Sequence, residues 1–68
     1  MLANTKQVLS VFNSCNIVPN TANQRPGVIV AYATSDQYLK LLSSFVYEGY
    51  TNKVYRTSNM FSVKTQLA

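Results

Sequence analysis

Between Ser35 and Tyr55 the chain reads "SDQYLKLLSSFVYEGYTNKVY", and no other stretch limits the fold as tightly. Tyr38, Leu41, Leu42 and Phe45 recur at the i, i+3, i+4, i+7 spacing of one helical face, with Leu39 and Val46 widening it. Ser35 is a good N-cap, and Asp36 just inside suits the positive end of the helix dipole. Gly49 stands where a helix C-terminus takes a residue at positive φ. The residues after it alternate, so the helix passes directly into a strand.

The flanking segments complete the pattern. "VIVAYA", Val28 to Ala33, is a short β-branched run bounded by Gly27 and Thr34, the form of a strand covered on both faces or nearly so. "YTNKVYRT" places Asn52, Val54 and Arg56 on one side and Thr51, Lys53, Tyr55 and Thr57 on the other. "FSVKTQL" sets Phe61, Val63, Thr65 and Leu67 against Ser62, Lys64 and Gln66, with Ser58-Asn59 as the turn of a hairpin. Phe61 and Val63 are expected to pack under the second helix. Upstream, Val8, Val11, Phe12 and Cys15 share one helical face after Asn4 or Thr5 as cap, and "NIVPNTANQRPG" is loop by its prolines, glycine and asparagines.

The expected fold is α+β in the order α-β-α-β-β: a small three-stranded mixed sheet with two helices packed on it. A right-handed β-α-β crossover would set its two strands parallel. With 68 residues the chain is one domain, residues 1–68, whose small core makes a stabilising partner plausible.

Chemistry is scarce. Cys15 is the only cysteine and there is no histidine, so neither a disulfide within the chain nor a thiol activated by histidine is available, and Cys15 reads as a core residue. The two acids, Asp36 and Glu48, stand at opposite ends of one helix, roughly 18 Å apart at 1.5 Å per residue, too far for paired acid–base work. No glycine-rich phosphate loop exists, since Gly27 and Gly49 stand alone. The expectation is a protein that is not an enzyme and takes no cofactor or metal. No run of residues is apolar enough for a membrane span.

Binding remains. The net charge of +4 suits an anionic partner, although Lys6, Arg25, Lys40, Lys53, Arg56 and Lys64 are spread through every element and also read as ordinary solvated charges. Five tyrosines offer stacking surfaces. Tyr38 lies on the apolar helix face and reads as core, whereas Tyr32, Tyr50 and Tyr55 stay open between core and ligand.

In element order, cap and hinge the chain resembles the N-terminal half of ribosomal small-subunit protein eight, the S-eight family. In that family a first helix runs into an asparagine-containing loop, a strand enters a P-S-S-K-like cap, and the second helix ends in E-E-G-F before a hairpin. Here Asn13 falls where the first helix gives way, Thr34 and Ser35 match the two serines, and Glu48, Gly49 and Tyr50 take the E-G-F positions without a gap in spacing. Ser10 and Phe12 stand where the family is basic, and Asp36 replaces the lysine after the cap. The family's C-terminal half has no counterpart in these residues, which implies a truncated form or a fragment completed by a separate chain.

The resemblance implies a structural constituent of a small ribosomal subunit, mitochondrial by its shortness and low charge, located in the matrix. Its partners would be small-subunit rRNA and neighbouring ribosomal proteins. The implied RNA contacts are Asn13, Arg25, Thr34, Ser35 and Lys40, with Lys6, Lys53 and Arg56 as phosphate partners. Ser35 serves equally as a plain cap. One rival expectation is a protein–protein adaptor of a large assembly, touching no RNA and using "FSVKTQL" as a pairing edge. Another is a free-standing viral or phage regulatory protein, suggested by the Asn/Ser/Thr-rich composition alone.

Overall fold

Two helices in this chain open on the same device. In the first, Thr5–Ser14 (α1), the Asn4 side chain accepts from the Gln7 backbone N–H at 2.9 Å, and Gln7 Oε1 accepts from the Asn4 N–H at 2.9 Å. In the second, Ser35–Glu48 (α2), Thr34 and Gln37 repeat the exchange at 3.2 and 2.9 Å. Each pair forms a capping box. The cap of α2 is therefore Thr34, one residue before the expected Ser35. Only from Thr34 does the third residue on carry an amide that can bond back; three beyond Ser35 stands Tyr38. Asp36 lies in the first turn of α2, and Gly49 closes it at φ +74°, both as expected.

The computed structural model describes residues 1–20 and 25–66. After α1 come strand Val28–Tyr32 (β1), then α2, strand Val54–Thr57 (β2) and strand Met60–Lys64 (β3). The α+β class, the α-β-α-β-β order and the three-stranded sheet with two helices packed on it agree with the sequence reading. Leu67 and residues 21–24 of the predicted loop lie outside the described residues.

One feature of the sheet differs. Its strand order is β1-β3-β2, and both pairings are antiparallel, so the sheet is antiparallel and not mixed. The strands β1 and β2 do run in the same direction, but β3 is inserted between them, giving a split β-α-β unit. The reason lies in the inward residues. On β3 these are Phe61 and Val63, both buried, whereas β2 offers only half-buried Val54 and exposed Arg56. The more apolar strand takes the centre, where it is covered best. The Ser58-Asn59 turn that returns it is tight, with Ser58 at φ 54°.

The core lies between the helices and one face of this sheet. It unites Val8, Val11, Phe12 and Cys15 of the α1 region with Leu41 and Phe45 of α2, over Ile29, Ala31, Phe61 and Val63. The Phe61 ring is met edge-on by Phe12 and by Tyr38, both at 5.7 Å between centroids. Burying side chains of this size contributes about 1.5–3 kcal/mol each. On α2, Leu39 and Val46 do not widen the buried stripe, being 60% and 80% exposed. Both lie off the Tyr38–Leu41–Phe45 line, and a helix resting on a single sheet buries only one stripe.

Asn52 is the buried polar centre. Its side chain accepts from the Ala3 N–H at 2.8 Å and donates to the carbonyls of Ala3 and Lys64 at 2.9 and 2.7 Å. The segment before α1 is thereby fixed to the end of β3, where the Gln66 N–H also reaches the Ala3 carbonyl at 3.0 Å.

Candidate nucleic-acid interface

The alternation that buries Ile29, Ala31, Phe61 and Val63 turns their neighbours to the opposite side of the sheet. Neither helix covers that side. The expectation that β1 is covered on both faces is thus corrected: Val28 and Val30 are half-buried and Tyr32 is exposed. The strand pairings lay out three rows across β1, β3 and β2. In order, these are Val28, Lys64 and Lys53; Val30, Ser62 and Tyr55; and Tyr32, Met60 and Thr57.

Two aromatic rings stand on this face, Tyr32 at 53% and Tyr55 at 50% exposed. Val30 and Met60 form a half-buried apolar floor between them. At one end, Lys53 and Lys64 border a groove of about 510 Å³ lined also by Leu2, Val28, Thr51 and Thr65. The Lys64 ammonium sits 5.9 Å from the Tyr55 ring centroid, within cation–π range. Both acids of the chain, Asp36 and Glu48, belong to α2 on the far side of the sheet. Among the described residues, the open face is therefore cationic and aromatic with no opposing side-chain charge.

The residues singled out from the sequence are distributed more widely. Lys53 belongs to the open face. Arg25 is exposed at the turn entering β1, its carbonyl accepting from the Val28 N–H at 3.0 Å, at the same end of the sheet as Lys53 and Lys64. Lys6 and Asn13 are exposed at the two ends of α1, and Lys40 is exposed on α2, so these three belong to the helical layer.

Thr34, Ser35 and Arg56 form a group of their own. The Arg56 guanidinium lies 4.7 Å from the Tyr38 ring centroid, donates to Ser35 Oγ at 3.2 Å and, through Nε, to the Ser58 carbonyl at 3.2 Å. It ties β2 to the start of α2. The Thr34 hydroxyl is engaged as the cap. Phe12, where the family resembled has a basic residue, is fully buried and serves the core.

The three tyrosines that the sequence leaves open divide between the two sides of the sheet. Tyr50 is half-buried and packs edge-on against Phe45, 5.8 Å between centroids, on the helix side. Tyr32 and Tyr55 face outward. Neither they nor Lys64 belong to the RNA contacts expected from the sequence. The signal was present: Tyr55 and Lys64 alternate with inward Val54 and Val63, and Tyr32 with Ala31.

No protein-family model, curated protein or solved structure matches this chain.

Proposed function

We propose that the protein is a non-catalytic RNA-docking component of a small ribosomal subunit, mitochondrial in type and matrix-located, that uses the open face of its sheet. One observation carries the RNA reading: both acids lie in the helical layer, while the opposite face carries Lys53, Lys64 and two outward tyrosines with no acidic side chain among the described residues. Lysines without nearby acids favour phosphate, and exposed phenols offer bases a stacking surface. The ribosomal part rests on the resemblance in element order, helix cap and Glu48-Gly49-Tyr50 hinge. Neighbouring ribosomal proteins, or a separate chain completing the fold, would meet the helical layer, where Leu39, Val46 and Tyr47 are exposed.

An adaptor cannot use "FSVKTQL" as its pairing edge. "FSVKTQL" begins in β3, the central strand, which is paired on both sides and cannot accept another. What favours an adaptor is the outer edge of β2, which no described strand or bridge covers.

The test is to recover tagged protein from its native source at low and high salt and identify its companions. The expected result is small-subunit rRNA with ribosomal proteins at low salt and loss of RNA at high salt. With two or three phosphates neutralised, log K for single-stranded RNA should fall against log salt with a slope of about −1.5 to −2. Salt-insensitive recovery of proteins with no RNA would overturn the reading in favour of the adaptor.

A further inference from the structure

We infer that the open sheet face takes unpaired nucleotides, with bases laid on Tyr32 and Tyr55 and the connecting phosphates held by Lys53 and Lys64. The inference rests on the protein's being an RNA binder, and it names the form of RNA and the residues that hold it.

Three observations point to single strands. The first is accessibility: Tyr32 and Tyr55 are each about half exposed on a face that neither helix covers. A ring that lies on a sheet stacks only on a base whose own face is free, and in a duplex those faces are already occupied. The second is spacing. Tyr32 and Tyr55 are separated by β3 and offset by one row, so their Cα atoms lie roughly 12 Å apart at standard strand dimensions. That is several times the rise of about 3.4 Å between stacked bases, so the two rings take bases drawn apart from each other. The third is charge. Lys64 borders Tyr55 and lies beside Lys53 in the same row, so the cations sit along the path of a backbone whose bases face the sheet. Val30 and Met60 give the sugars or a further base an apolar floor.

The full chain would be titrated against an unstructured RNA octamer containing adenine and uracil, and against a blunt duplex of the same length. The octamer should bind at least tenfold more tightly than the duplex. Tyr32→Leu and Tyr55→Leu should each weaken octamer binding by about 5- to 140-fold, the range of one lost base stack. Tyr32→Phe and Tyr55→Phe should stay within about twofold, because the ring is retained. Lys64→Gln should make the salt slope shallower by about 0.7. Independently of any variant, the ring protons of Tyr32 and Tyr55 in the wild-type chain should move upfield on octamer addition while those of Tyr50 stay in place.

Equal affinity for duplex and octamer, with the leucine variants unchanged and the two tyrosine signals unmoved, would overturn the inference while leaving RNA binding intact. Binding of neither nucleic acid would overturn the RNA reading itself, and this inference with it. Capture of a protein on this face, with no shift of the tyrosine signals by RNA, would also overturn it.

Discussion

The two faces of the sheet are built from the same three strands and the same alternation, yet they answer to different demands. Toward the helices, Ile29, Ala31, Phe61 and Val63 are buried, and little in their identity is free to vary without loss of stability. Away from the helices, Tyr32, Tyr55 and Lys64 are held in place by the strands but contribute little to holding them. A residue that the fold does not need is a better witness to function than one that it does. The contrast is sharpest along β3, where inward Val63 and outward Lys64 are consecutive.

The contrast can be tested by substitution, beginning with the covered face. Phe61→Ala removes the ring that both Phe12 and Tyr38 meet edge-on, and should cost about 3–5 kcal/mol. Urea unfolding should show most of a small domain's stability gone. Asn52→Ala takes the partner from the Ala3 N–H and one donor each from the Ala3 and Lys64 carbonyls, of which Ala3 keeps the Gln66 N–H, and should cost about 2–3 kcal/mol, read in the same way.

A smaller effect is expected at Gly49→Ala. A Cβ there meets nothing within 4 Å, so the cost is that of positive φ alone, about 1 kcal/mol. Thr34→Ala should cost about the same through the lost cap, whereas Ser35→Ala should cost less, because Ser35 is not the cap. At the far end of the scale, Tyr32→Leu and Tyr55→Leu should each change stability by no more than about 0.5 kcal/mol. A large loss of stability at either tyrosine would erase the distinction between the faces.

The local rules of the sequence carried far. Helix spacing, the glycine stop at Gly49 and the Ser58-Asn59 turn located every element, because each depends on residues close in the chain. Alternation also identified which strand residues face together. It could not say which strand stands beside which, since a period of two names a face and not a neighbour. That is why the sheet reads as mixed from the sequence and is antiparallel in the structure.

Asn52 was legible only as one member of a face. An asparagine is ordinarily exposed, and the groups that make its burial favourable belong to Ala3, a separation of 49 positions that no local pattern reveals. The cap of α2 was within reach, because Gln37 three residues after Thr34 distinguishes it from Ser35. The open face could have been assembled by superimposing the phases of β1, β2 and β3. The positive charges alone pointed to it poorly, because Lys6, Lys40 and Arg56 lie elsewhere.

The position of β3 also shapes how the chain acquires its structure. It is the last strand along the described chain, yet both other strands hydrogen-bond to it and not to each other. During synthesis, β1 and β2 therefore emerge before the only surface on which they can pair. The helices can form as local segments, while the sheet closes late, over contacts that span much of the chain, which slows folding relative to a helical protein of equal length. Until Met60–Lys64 has left the ribosome making it, the tyrosines of β1 and β2 have no common face to share.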